Sequence, residues 1–566
     1  MYYITKIYLY TLSNIVKLIM YNTIDNIIGI FDENDNYNNI MIGGTNSTTN
    51  SNNKFQKTKL HIYQMFDTNN STNSTNSTDS TNSTNSTNST DSTNSTNSTD
   101  STNSTDSTNS TNSTNSTNST NSTNSTDSTN STKLMPTLLI PLSNANTVTV
   151  GIFIKAGSRQ ETEAYGIAHF LEHMTFKGTT KRTSEGLMLN LDSIGAQYNA
   201  MTGHEFTLYY ISGDPRDIKT LLDIVIDLYL NPTYPDADIV KERNVVLEEL
   251  RMNEDNNHRQ LSIETFKNLF EGVSEYESLS RPIIGFKNSI SNLNRSNIIN
   301  YRKNNYMGSN CLLCISGNFN KEEIIPHIEK QFFASLKYEE HPSNLFYSNI
   351  QTEPSVKHIL TLKPNIKRHY HINKNINQTI INFVFNSYNS SNKHNYAVDL
   401  LCDILSNGFS SRLFNLLRNK MGVSYYNNSH NRTFSDTGQL IISVGVDDVS
   451  VIETIKGILN ELKLIIKDGI STMELAKSKK QNETSLLFQF KDPYEYLMYY
   501  GMNLLNKQPL YGLSDMLNNI ENVTMEDMNT IIKQVLNKNN LVIGTIGKVS
   551  DSDSILIGKI INNWFE

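Results

Sequence analysis

From Lys133 to the C-terminus, apolar positions follow two alternating periods. Leu138–Pro141 and Val148–Ile154 are short runs rich in β-branched residues and read as strands, and Asn310–Ser316 reads as a buried strand. Helical spacing, with apolar residues three and four apart, follows the first two strands, and the strand-then-helix rhythm continues to residue 566. About 430 residues are more than one core supports, which predicts two domains of about 210 residues each. The most polar stretch without periodicity, Glu339–Val356, sets the boundary at 345/346, giving domains 133–345 and 346–566. Hairpin-like strands mixed with long helices predict an α+β class: two sandwich-like halves, each a mainly antiparallel sheet packed with helices.

Upstream the pattern is different. Residues 1–24 hold no acidic residue and only Lys6 and Lys17, with Ile7, Tyr8, Leu9, Ile15, Val16, Leu18 and Ile19 among the apolar positions. This suits an organelle-targeting or membrane-surface helix, or an apolar tail; arginine, favoured in transit peptides, is missing. Residues 25–69 are polar and rich in Asn. Asn70–Thr132 then repeats Asn-Ser-Thr or Asp-Ser-Thr for 21 triplets without one apolar residue. Such a tract has no apolar area to bury against chain entropy and is expected to be a disordered spacer. Residues 1–132 are therefore set apart from the two domains.

Composition changes the picture only once the tract is removed. The 37% hydrophobic content becomes about 42%, near a globular average. Five of the acidic residues lie in the tract (Asp79, Asp91, Asp100, Asp106 and Asp127), so the net charge of −8 becomes −3. No strongly basic face is expected, and with it no nucleic-acid partner. Three cysteines are too few for a disulfide framework. Cys311 and Cys314 match Cys-x-x-Cys, but three residues apart on a strand their thiols point to opposite faces. His258, His327, His358, His369, His371 and His394 lack partners at ligand spacing and read as surface residues.

Chemistry concentrates in Gly166-Ile-Ala-His-Phe-Leu-Glu-His-Met-Thr-Phe-Lys-Gly178, a helix of three turns between two glycines. His169 and His173 lie about 40° apart around such a helix, so both imidazoles share a face, as two positions of a tetrahedral zinc require. Glu172 hangs beside them, where a general base for a zinc-activated water belongs. By itself the five-residue pattern also fits a helix with two satisfied histidines. A third ligand comes from Lys241-Glu-Arg-Asn-Val-Val-Leu-Glu-Glu-Leu250. Glu242 and Glu249 share a helix face while Glu248 points away. Glu249 is read as the ligand, with Glu242 behind a ligand histidine or ordering the site water.

His169-x-x-Glu172-His173, 68 intervening residues and Glu242-x6-Glu249 together resemble the signature of the pitrilysin family of zinc peptidases. Gly157-Ser-Arg159, Phe176-Lys-Gly-Thr179 and Asn199-Ala-Met-Thr-Gly-His-Glu-Phe-Thr207 agree with it, and the likeness runs from about Leu138 to the end. It resembles above all the small two-domain members: the catalytic beta subunit of the mitochondrial processing peptidase and bacterial processing-type enzymes. The resemblance implies one Zn2+ per chain on His169, His173 and Glu249, with Glu172 activating the water. It implies an edge strand at Asn199-Ala200 where an extended substrate adds as a strand. Asn407-Gly-Phe-Ser-Ser-Arg-Leu-Phe and Met421-Gly-Val-Ser-Tyr425 imply that Arg418 and Tyr425 reach the active site from a homologous, metal-free second half. His204 departs from the family pattern, where Arg or Lys is usual. The expected activity is endopeptidase cleavage of extended peptides, presequences or small polypeptides. The expected partner is a second copy or a related subunit, and the compartment the mitochondrion or cytoplasm. The alternative is a non-catalytic scaffold of the respiratory-complex type.

Overall fold

A computed structural model describes residues 59–67, 135–332, 336–340 and 359–564. The expectations for residues 1–58, the triplet tract, His358 and the 345/346 boundary fall outside the described residues.

The first sheet is built from β1 (His61–Asp67), β2 (Thr137–Pro141), β3 (Val148–Ile154), β4 (Gln197–Thr202), β5 (Thr207–Gly213), β6 (Cys311–Gly317) and β7 (Leu336–Glu340). Its order is β4-β5-β3-β6-β2-β1-β7, antiparallel except where β2 runs parallel to β6. The second sheet holds β8 (His369–Asn373), β9 (Thr379–Ser387), β10 (Ser424–Thr433), β11 (Gly438–Val446) and β12 (Leu541–Gly547), in the order β10-β11-β9-β12-β8. Here too one pairing, β12 with β8, is parallel. Strip β1 and β7 from the first sheet and the two orders are the same, so the expected α+β pair of similar halves is what the chain forms.

The inner strands of each sheet are buried on both faces, which is why β3, β6, β9, β11 and β12 read as nearly continuous apolar runs, whereas the edge strand β4 is half exposed. On one face of the first sheet, Val148, Val150, Ile152 and Ile154 meet α1 (Ile167–Thr175), α2 (Ile218–Leu230), α3 (Asp236–Asp255) and a later helix. Phe153 points the other way. α4 (Asn257–Phe270) leaves this half and lays Phe266, Leu269 and Phe270 against Val384, Ile441 and Val542 of the second sheet. The other face of the second sheet is covered by α5 (Asn395–Ser406), α6 (Val451–Asp468) and two later helices. α7 (Pro493–Leu505) returns the exchange: Leu497, Tyr500 and Leu504 cover Leu138, Ile140, Phe153 and Leu312 of the first sheet. The halves are thus bound by a reciprocal loan of one helix each.

Two expectations need correction. β1 lies upstream of the triplet tract yet pairs antiparallel with β2, His61 opposite Leu139. The tract therefore lies between neighbouring strands of one sheet, and the first half draws on residues from both sides of it, not on residues from 133 onward alone. The second concerns the histidines read as surface groups. His369 Nε2 and His371 Nδ1 both lie 3.0 Å from Thr545 Oγ1 across the β8–β12 pairing, and His327 Nε2 is 2.7 Å from Asp223. Spacing along the chain carries no trace of such partners, which lie on a neighbouring strand or helix. Cys311 and Cys314 enter the cores on opposite faces of the sheet. Among the described residues no helix is long and apolar enough to cross a membrane.

Candidate metal centre

α1 is shorter than the three turns expected, ending at Thr175. Ile167, Phe170, Leu171 and Met174 bury one side against the sheet, which turns His169, Glu172 and His173 to the opposite side. Gly166, its N-cap, has φ of +93°, and a Cβ there would lie 2.4 Å from Ile284 O, so only glycine fits. With no capping side chain at Gly166, the helix end is satisfied by Glu161. Its carboxylate accepts from Gly166 N–H and Ala168 N–H, both at 2.9 Å. Burial pushes this carboxyl up to about 8, against the pull of those two N–H groups and Arg281.

α3 brings the second stretch. Ile239 and Val246 anchor it in the core, and the same stripe carries Glu242 and Glu249 toward α1. His169 Nε2 and His173 Nε2 each lie 3.5 Å from Glu249 Oε2, and the three ligand atoms all fall within 4.8 Å of one another. Zinc bonds of about 2.0–2.1 Å in a tetrahedron put ligand atoms about 3.3 Å apart, so the donor set fits that ion in both chemistry and spacing. Glu242 Oε1 is 2.8 Å from His173 Nδ1 and its other oxygen 2.6 Å from Lys177 Nζ. His169 Nδ1 is buried without a partner among the described residues.

The electrostatics are those of a cation site. Burial alone would lower His173, but the Glu242 and Glu249 carboxylates outweigh it and hold the imidazolium up at about 10. Burial would raise Glu249, yet His173, His169 and Arg259 bring it down to about 2. His169 is pushed down to about 4 by burial and then by His173. Glu172 moves up to about 6: burial dominates over His173 and the hydroxyl of Thr202, which donates to Glu172 Oε2 at 2.5 Å.

Asn199 and Ala200 lie on β4, the edge of the first sheet, opposite Tyr210 and Tyr209. Ala200 N–H donates to Asn199 Oδ1 at 3.0 Å. Arg418 sits on an exposed π-helical turn (Asn415–Lys420), its guanidinium 5.6 Å from the centre of the Phe414 ring. Tyr425 is the extra residue at a bulge in β10, where pairing with β11 shifts between Ser424 and Tyr426; its side chain lies outside the description. β10 nevertheless borders this region, because His258 Nε2 on α4 is 3.3 Å from Tyr426 Oη, and the next residue, Arg259, acts on both Glu249 and His169.

Sequence reasoning missed three supports. Lys177 stands four residues after His173, a helical interval that could have flagged it. Glu161 lies just before the helix it caps. Thr202 gave no signal, since only the packing of β4 on α1 brings its hydroxyl to Glu172.

Comparison with known proteins gives the family. The family described as Insulinase (Peptidase family M16) matches residues 137–284, and the Peptidase M16 inactive domain matches residues 292–482. A Rickettsia bellii protein named an uncharacterized zinc protease is 32% identical over 346 residues, which is 60% of this chain and 78% of that protein. A Bacillus subtilis protein named uncharacterized zinc protease YmxG is 29% identical over 394 residues, 69% of this chain and 90% of its own. The mitochondrial-processing peptidase subunit beta of Neurospora crassa is 38% identical over 189 residues, 33% of this chain and 39% of that protein. A protease structure from Helicobacter pylori shares the fold, with a TM-score of 0.62 at 20% identity over 73% of this chain and 97% of that one. The chain belongs to peptidase family M16, the insulinase or pitrilysin family.

Proposed function

We propose that this protein is a zinc-dependent endopeptidase that cleaves peptides or presequences bound in extended form. One observation carries the reading: two imidazole nitrogens each lie 3.5 Å from one carboxylate oxygen of Glu249, beside a second carboxylate, Glu172, that is not among the three and is held by Thr202. Zinc held by His169, His173 and Glu249 would supply Lewis acidity, polarising the scissile carbonyl and acidifying a water. Glu172 takes the proton from that water and gives it to the leaving amine; a carboxyl near 6 suits both transfers at neutral pH. Glu242 orients His173. The outer edge of β4 at Asn199-Ala200 takes the substrate backbone by strand addition. Arg418 and Tyr425, from the second half, are assigned to the substrate and to the oxyanion, which guanidinium and phenol donors stabilise. The domain carrying the metal is residues 133–345 together with β1, and residues 346–566 form its metal-free counterpart. A second copy or a related subunit is the partner proposed, in the mitochondrion or cytoplasm.

The test is hydrolysis of an unstructured peptide by the full chain before chelation, after it, and after zinc is restored, beside Glu172→Gln. Chelation and Glu172→Gln should each abolish turnover, with zinc restoring only the wild type. Turnover indifferent to both removes the zinc mechanism. No turnover in any sample favours the scaffold alternative.

A further inference from the structure

We propose that Thr202 is a positioning residue: it fixes the orientation of Glu172 and ties the base to the strand on which the substrate would lie. This rests on the peptidase reading above and adds to it a link between substrate docking and the base.

The geometry begins with β4 as an edge strand, paired on one side only. Alternation places Tyr198, Ala200 and Thr202 on one face, and Tyr198 and Ala200 pack into the core that α1 also enters. Met201 faces the opposite core. Thr202 is the last residue of the strand, opposite Thr207. The turn beyond it is pinned twice: Gly203 N–H donates to Phe206 O at 2.8 Å, and Gly203 O accepts from Ser158 N–H at 3.1 Å. A hydroxyl so placed has little freedom, and it donates to Glu172 Oε2 at 2.5 Å. Among the described residues, Thr202 is the one side chain that donates a hydrogen bond to Glu172. Without it the carboxylate is free to rotate about its last torsion, away from the direction in which a water proton must be taken.

Two residues back along the same strand, Ala200 N–H is occupied by Asn199 Oδ1. A peptide carbonyl added at this edge displaces that amide oxygen and turns a half-paired edge into an interior strand. The end of the strand, and the hydroxyl on Glu172, then become more rigid. Substrate docking and base alignment are in this way two ends of one six-residue element.

The full-length, zinc-loaded protein decides it through Thr202→Val and Thr202→Ser. Valine keeps the branched shape and removes the donor; serine keeps the donor. Thr202→Val should lower kcat by about 10- to 100-fold with KM within about two-fold of wild type and zinc content unchanged, and Thr202→Ser should recover most of the loss. Wild-type kcat in Thr202→Val overturns the proposal. So does a loss that serine does not recover, or one explained by missing zinc or raised KM. A second readout is independent of turnover. In the metal-free protein, the melting-temperature changes of Thr202→Val and Glu172→Leu should be non-additive, since each removes one partner of the same bond; additivity overturns the proposal. An inactive wild type showing this coupling would sink the peptidase reading and leave the Thr202–Glu172 bond standing.

Discussion

At the residue scale, Glu242 matters to the site as much as the three proposed ligands do. It is buried, it bonds His173 Nδ1, and Lys177 balances it from the other side. Burial would raise its carboxyl, but His173 and Lys177 together lower it, so it stays ionised. An ionised carboxylate there fixes the tautomer that leaves His173 Nε2 free for a metal, and it adds negative charge near the dication. Glu242→Gln removes the charge and leaves only a neutral amide oxygen to accept from His173 Nδ1–H, so both effects weaken with the same sign. Zinc affinity should fall about 10- to 100-fold, measured by competition with a chromophoric chelator, while Glu242→Asp should lose less. The convergence of His169, His173, Glu242 and Glu249 was legible in sequence because helical spacing fixes which side chains share a face. Thr202 was not, because its contact depends on how far a strand lies from a helix. Tyr425 carries a related lesson, since a bulge displaces pairing at that residue and counting by twos along β10 fails there.

At the scale of elements, the loaned helices carry most of the surprise. The amphipathic pattern of α7 was readable, but a pattern shows that a face is buried and not which sheet buries it. Gly501 marks how close the contact is: a Cβ there would sit 2.4 and 2.6 Å from ring atoms of Phe153, itself fully buried. Two effects oppose each other in Gly501→Ala. Alanine gains about 1 kcal/mol of helix propensity, while forcing a methyl into a packed core costs about 1–3 kcal/mol. The ring cannot swing aside within β3, so packing wins, and the variant should unfold at a lower denaturant midpoint than wild type. A rise in the midpoint would show that α7 can lift off the sheet freely. β1 escaped the sequence for a different reason. Its seven residues are separated from β2 by a tract with no apolar signal, and pairing across so long an insertion costs only the slowly growing entropy of loop closure.

At the scale of the molecule, the halves also meet through a polar clamp, and one histidine in it makes the contact sensitive to acid. Arg159 grips Asp436 with both terminal nitrogens at 2.9 and 2.7 Å and reaches Glu205 at 2.9 Å, while Glu205 accepts from Ser435 Oγ at 2.6 Å. This ties the tip of the β4–β5 hairpin to the tip of β10–β11, the hairpins that bear Ala200 and Tyr425. His204 fills the space behind the clamp, stacked on Phe266 at 5.7 Å, edge-on to Phe434 at 5.8 Å and bonded to Ser158 Oγ at 2.9 Å. Its ring is neutral there: burial, then Arg432 and Arg159, push it down to about 3, against about 6.5 in an unfolded chain. The unfolded state therefore binds a proton below about pH 6.5 that the folded state refuses. The contribution of neutral His204 is complete above that pH and is lost as the pH falls toward 3, by up to about 1.4 kcal/mol per unit. His204→Gln keeps a hydrogen-bonding group beside Ser158 and removes the titration. Melting temperatures of the two proteins should then run parallel above pH 7 and converge, or cross, as the pH falls from 6.5 to 4. His169 and His369, whose imidazoles are likewise pushed down to about 4 by burial, act in both proteins and cancel in the difference. A constant gap between the two curves over that range would mean that protons reach His204 in the folded state, and that the clamp opens at ordinary pH.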